Sequence, residues 1–140
     1  MSHRVLLVDD YEPWRRFVAS TLSASAHWQV AGETADGLDA IQKAKALRPD
    51  LILLDIGLPS LNGIVVARRI FEHDPGIRIL FLSENSSWDI VEAALRTGAQ
   101  GYVLKSDAER ELLPAMESIV EGRQFVSSSV KPPSSKVASA

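Results

Sequence analysis

Leu51-Ile52-Leu53-Leu54 is an unbroken run of four bulky aliphatic residues that stops at a carboxylate, Asp55. Turn chemistry follows in Ile56-Gly57-Leu58-Pro59 and Ser60-Leu61-Asn62-Gly63. A short run of this kind, with turn signals at its end, suits a strand covered on both faces, as in a parallel sheet flanked by helices. Open α/β sheets bind their ligands at the carboxyl ends of the strands, which is where Asp55 stands. Asp55 is therefore read as the reactive group, and the rest of the chain as its holder and readout.

The same punctuation recurs along the chain. Val5–Val8 ends in Asp9-Asp10, Ile77–Leu82 ends at Ser83, and Gly101–Leu104 ends at Lys105. Trp28–Glu33 is a weaker, alternating run suited to a sheet edge. Between these runs the apolar residues recur at helical spacing. The sets are Trp14, Phe17, Val18, Leu22; then Leu38, Ile41, Ala44, Leu47; then Ile64, Ala67, Ile70, Phe71; then Ile90, Val91, Ala94, Leu95; and last Leu112, Leu113, Met116, Ile119, Val120. Five strand–helix units imply an α/β fold, a doubly wound parallel sheet with right-handed crossovers. Pro114 interrupts the last helical pattern and predicts a kink or a late helix start. Residues 1–122 form one expected domain. From Arg123 the Ser and Pro content predicts a linker or disordered tail over 123–140.

Composition narrows the function classes. A net charge of −3 over 140 residues argues against direct nucleic-acid binding, which needs Lys and Arg for phosphate contacts. The chain has no cysteine, which removes disulfides and thiolate chemistry. No run approaches membrane-spanning length and Met1–Val5 shows no signal-peptide pattern, so a cytoplasmic protein is expected.

In a parallel sheet the strand ends of one kind share an edge, so Asp9, Asp10, Asp55, Ser83 and Lys105 are expected to converge. Clustered carboxylates raise one another's pKa, and a hard cation such as Mg²⁺ relieves the repulsion. A lysine supplies a point charge for a phosphoryl oxygen, and a serine supplies a hydroxyl donor. The set fits phosphoryl transfer to a carboxylate. Singly, these residues are ordinary: an Asp-Asp turn, a surface lysine, a loop hydroxyl. Their order and placement together carry the signal.

The arrangement resembles the receiver domain of two-component response regulators over roughly residues 4 to 122. The motifs are Asp9-Asp10, Asp55 within Asp55–Gly63, Ser83, and Tyr102-Val103-Leu104-Lys105. Val30-Ala31-Gly32-Glu33 and Gly98–Lys105 look closest to the subfamily with a C-terminal LuxR-type helix-turn-helix. The resemblance implies a flavodoxin-like (βα)5 fold with strand order 2-1-3-4-5. It implies Asp55 as phosphoacceptor and Mg²⁺ held by Asp10, Asp55 and the Gly57 carbonyl, with Asp9 acting through water. Lys105 would pair with Asp55 or its phosphoryl group, Ser83 would swing toward the phosphoryl oxygen, and Tyr102 would follow into the space vacated. The implied partners are a sensor histidine kinase and a second copy, docked through the helix 4–strand 5–helix 5 surface. The implied role is a signalling switch that regulates transcription, not an enzyme with turnover.

Two rivals are weighed against this. An aspartate-nucleophile phosphatase would need a second acid where Gly57 stands. A stand-alone receiver would act by protein contact alone, whereas the Pro/Ser tail favours the N-terminal piece of a longer regulator. Glu84 adds negative charge beside the pocket, and Ser106 replaces the proline common in the family. Trp14 and Phe17 are expected in the core, Trp88 is expected packed near the pocket rim, and His3, His27 and His73 lack ligand spacing.

Overall fold

The computed structural model describes residues 2–133. Strands and helices alternate: β1 (His3–Val8), α1 (Glu12–Ser23), β2 (Trp28–Thr34), α2 (Gly37–Leu47), β3 (Leu51–Leu54), α3 (Gly63–His73), β4 (Arg78–Ser83), α4 (Trp88–Leu95), β5 (Gly101–Leu104), α5 (Ala108–Val120) and β6 (Phe125–Val126). All pairings are parallel, in the order β2-β1-β3-β4-β5-β6. The expected 2-1-3-4-5 order is present, with a sixth short strand added at the β5 edge.

Successive strand residues point to opposite faces, and the two faces hold separate cores. Leu6, Val8, Ile52, Leu54, Ile79, Phe81, Tyr102 and Leu104 pack with Ala40 and Ile41 of α2, Val66, Ala67 and Ile70 of α3, and Val91 and Ala94 of α4. Val5, Leu7, Leu51, Leu53, Leu80, Leu82 and Val103 pack with Val18 and Leu22 of α1 and Leu112, Met116 and Ile119 of α5. Burial on both faces explains why β3 shows no alternation in sequence. Side-chain caps fix two helix starts: the Asp36 carboxylate accepts from Asp39 N–H, and the Asn62 amide oxygen accepts from Ile64 and Val65 N–H.

Several expectations are corrected. Phe17 is exposed and Trp14 only half-buried, because the inward side of α1 is carried by Val18 and Leu22. Leu38 is also exposed, and Val66 rather than Ile64 is fully buried on α3. The domain boundary at 122 falls too early. Phe125 and Val126 pair with Gly101 and Tyr102 of β5, Ser127 is buried, and Val130 enters the core on the α4 side. Phe125–Val130 of the expected 123–140 linker thus packs on the domain, and residues 134–140 lie outside the described residues.

The late start predicted for the last helix does not occur, since α5 runs from Ala108 through Pro114 to Val120. Pro114 withholds an N–H from the Arg110 carbonyl, but both residues are exposed, so water can serve that oxygen. Pro114→Ala is expected to raise stability by about 1–3 kcal/mol, since proline in a helix interior costs roughly 3 kcal/mol relative to alanine. Urea denaturation checks this, and unchanged or lowered stability would show that α5 is shaped around the proline.

Candidate functional site

Register brings the site together. Val8 pairs with Leu54, and Asp55 N–H donates to the Val8 carbonyl at 3.0 Å, so Asp9 and Asp55 leave neighbouring strands side by side. They stand where the order β2-β1-β3 reverses the direction of the crossovers, the switch point at which such sheets form a crevice. Ser83 pairs with Leu104, which places Lys105 one residue beyond the same edge. Carboxylate oxygens of Asp9, Asp10 and Asp55 lie within 4.8 Å of one another. A cavity of about 380 Å³ is lined by these strand-end residues, including Asp10, Asp55, Gly57, Ser83, Glu84 and Lys105.

The loop backbone is built to hold Asp55. Gly63 begins α3 directly against the Asp55 carbonyl, and a Cβ at Gly63 would overlap that oxygen. Gly63 N–H donates to the Ile56 carbonyl at 2.7 Å, folding the β3–α3 loop back under the site. Asp9 is tied on both oxygens: Oδ1 accepts from Tyr11 N–H at 2.9 Å, and Oδ2 lies 2.6 Å from Lys105 Nζ. Arg15 donates to the Asp9 carbonyl and pairs with Glu33 of β2 at 3.1 Å, bracing the β1–α1 loop. Its place off the apolar stripe reads as a solvated position in sequence; its link to Glu33 depends on tertiary geometry.

Lys105 lies between two acids but nearer one. Its ammonium is 2.6 Å from Asp9 and 3.8 Å from Asp55, and both side chains of each pair are largely buried. The pairing with Asp55 expected from the sequence is thus the longer of the two. Trp14 covers the ammonium, 5.2 Å from its ring centroid, within reach of a cation–π attraction. The helical pattern disclosed Trp14 only as a core residue.

Burial and the adjacent Asp9 charge push the Asp55 carboxyl up to about 6, against the opposing pull of Lys105. Asp10 is exposed, so it and Asp55 offer the oxygens left open to a cation. An all-oxygen set at this spacing fits Mg²⁺, which takes carboxylates and carbonyls and keeps several waters. Gly57 lines the cavity with open space where a side chain would stand.

Ser83 is buried, and its hydroxyl oxygen accepts from Asn85 N–H at 3.1 Å. Tyr102 is fully buried beside Phe81, and its hydroxyl donates to the Asn85 carbonyl at 2.6 Å. The ring that the resemblance would move is inside the domain in this structure. Ser83 and Tyr102 both hold the β4–α4 loop through Asn85. Glu84 is exposed and lines the cavity mouth, and Trp88 is half-buried against the α4-side core.

Comparison with known proteins points to one family. The family model described as "Response regulator receiver domain" matches residues 5–117. The nitrate/nitrite response regulator protein NarL of Escherichia coli K12 is 34% identical over 91% of this chain and 59% of its own length. The chemotaxis protein CheY of Thermotoga maritima is 31% identical over 85% of this chain and 98% of its own. A LuxR-family two-component response regulator from Aurantimonas sp. SI85-9A1 superposes with a TM-score of 0.92 at 28% identity, covering all of both chains. The chain spans between 52% and 59% of the length of the transcription regulators DegU and NarL. Among the described residues no helix is long and apolar enough to cross a membrane.

The raised Asp55 pKa has a consequence for stability. An unfolded aspartate ionises near 3.8, whereas this one holds its proton to about 6. Between those values the unfolded chain has lost a proton that the folded chain keeps. Stability attributable to this group therefore falls as pH rises through the window, and the penalty is complete above it. In metal-free buffer, Asp55→Asn is expected to stabilise the fold at pH 7.5 by up to about 3 kcal/mol, with the gain vanishing toward pH 4. Denaturation of both proteins across this range tests it, and a gain independent of pH would contradict the cause assigned.

Proposed function

Because this chain belongs to the response regulator receiver family, we propose that it accepts a phosphoryl group on Asp55 from a sensor histidine kinase, in the presence of Mg²⁺. The observation that carries the proposal is the meeting of three carboxylates and the Lys105 ammonium at the carboxyl edge of the sheet. The receiver unit extends past residue 122, through the sixth strand. Receiver domains are signalling units, and the resemblance to NarL and to LuxR-family regulators supports an output in transcription control.

Asp10, Asp55 and the Gly57 carbonyl would hold the metal, with Asp9 acting through water. Bound Mg²⁺ supplies positive charge against the clustered acids and the phosphoryl oxygens. The Asp55 carboxylate oxygen attacks phosphorus; the new P–O bond forms as the P–N bond to the donor imidazole breaks, and the imidazole leaves with that electron pair. Before transfer, Lys105 lies nearer Asp9 than Asp55, which leaves the nucleophile's lone pairs less tied. After transfer, its ammonium faces a phosphoryl group of greater negative charge and moves toward it. Ser83 gives up its bond from Asn85 N–H and donates its hydroxyl to a phosphoryl oxygen. The Asn85 backbone, which also holds Tyr102, then shifts with the β4–α4 loop: a local charge change biasing a two-state element.

Glu84 at the cavity mouth repels anionic small-molecule donors and favours a protein donor that buries or offsets its charge. Incubation with acetyl phosphate and Mg²⁺ is expected to add the mass of one phosphoryl group, lost in Asp55→Asn and on chelation. Glu84→Ala is expected to speed labelling severalfold at low salt, an advantage that shrinks as salt rises. Labelling that survives Asp55→Asn, or that proceeds without a divalent cation, would overturn the assignment.

A further inference from the structure

The face formed by α4, β5 and α5 is filled by the chain's own C-terminal segment. We infer that Phe125–Val130 is a latch, docked on this face in the resting protein and loosened when Asp55 is loaded. The coupling half of this inference rests on Asp55 being the phosphoryl acceptor.

The docking is specific. Phe125 N–H donates to the Gln100 carbonyl at 3.1 Å, and Ser127 N–H donates to the Tyr102 carbonyl at 2.8 Å. Ser127 is buried, and its hydroxyl accepts from Leu104 N–H at 2.9 Å while donating to the Glu111 carboxylate of α5 at 2.6 Å. The Ser128 hydroxyl reaches the other Glu111 oxygen at 3.1 Å. Val130 is buried in the cluster that holds Val91 and Ala94 of α4 and Tyr102 and Leu104 of β5. The first residue of β5 is shaped for this approach: a Cβ at Gly101 would come within 2.8 Å of the Phe125 carbonyl oxygen. A partner that needs the open β5 edge therefore meets an occupied one.

The latch is joined to the pocket through two alternate residues of the β5 backbone, Tyr102 and Leu104. Leu104, whose N–H is held by Ser127, is followed directly by Lys105. Tyr102, whose carbonyl is held by Ser127, contacts the β4–α4 loop through its hydroxyl. Drawing Lys105 from Asp9 toward a phosphoryl group on Asp55 moves the residue next to Leu104. A Ser127 hydroxyl fixed at once to β5 and to Glu111 cannot follow both. Its hydrogen bonds are the ones that yield, because Phe125–Val130 contributes only two residues of strand to the sheet.

Hydrogen exchange on the full chain tests this, with phosphoryl loading read in the same sample by intact mass. On loading with acetyl phosphate and Mg²⁺, the amides of Leu104, Phe125 and Ser127 are expected to exchange at least about tenfold faster, with β1 and β3 amides unchanged. Ser127→Ala is expected to reproduce the effect at Phe125 without loading; Glu111→Gln, which keeps an acceptor for the hydroxyl, is expected to do so only weakly. Complete loading with unchanged exchange at these amides would overturn the latch. Should the mass show no loading, the Asp55 assignment falls instead, and Lys105→Met then decides: faster exchange at Phe125 and Ser127 upholds the link from pocket to latch, and unchanged exchange removes it.

Discussion

Like charges held close together are the constraint on which this molecule turns. Asp9, Asp10 and Asp55 meet within 4.8 Å at the carboxyl edge of the sheet. Two unit charges about 4 Å apart interact by about 4 kcal/mol at an effective dielectric of about 20. That is several times the worth of an exposed ion pair, so positive charge beside the cluster relieves a large repulsion. Lys105 supplies part of that charge and is committed mainly to Asp9. What remains is negative charge at Asp10 and Asp55 that an oxygen-seeking cation would offset; burial and the Asp9 charge already raise the Asp55 pKa.

The fold imposes this arrangement. Two apolar cores, one on each face of the sheet, fix the strand register so firmly that the strand-end side chains have nowhere else to go. The same rigidity makes the site a lever. Asn85 is gripped by Ser83 and Tyr102, Leu104 is gripped by Ser127, and Lys105 lies directly beyond Leu104. A change of charge at Asp55 would thus act on groups already bonded to the β4–α4 loop and to the C-terminal segment, without a long chain of intermediaries.

Much of this was legible in the sequence because the signals are strong where burial is complete. Leu51–Leu54 and its counterparts read as strands because both faces are covered, and parallel pairing alone implies that Asp9, Asp10, Asp55, Ser83 and Lys105 share an edge. Helical periodicity was less discriminating. It put Phe17 and Leu38 inside, although an amphipathic stripe is wider than the surface that buries it. It also hid Trp14's place over the Lys105 ammonium and Arg15's hold on the Asp9 loop, which arise from tertiary approach. The sixth strand escaped notice because two residues carry no period, and Ser127 and Val130 stand in a Ser/Pro-rich composition that ordinarily marks a linker. Whether Lys105 prefers Asp9 or Asp55 is a matter of a small difference in distance, below anything residue spacing encodes.

The most direct test of the central claim is a titration of the Asp55 side-chain carboxyl by ¹³C NMR in metal-free solution, repeated with Mg²⁺. Burial together with the adjacent acids predicts a midpoint near 6 without metal, falling markedly once the cation is present. A midpoint at the ordinary aspartate value, insensitive to Mg²⁺, would mean that the acids do not share one pocket.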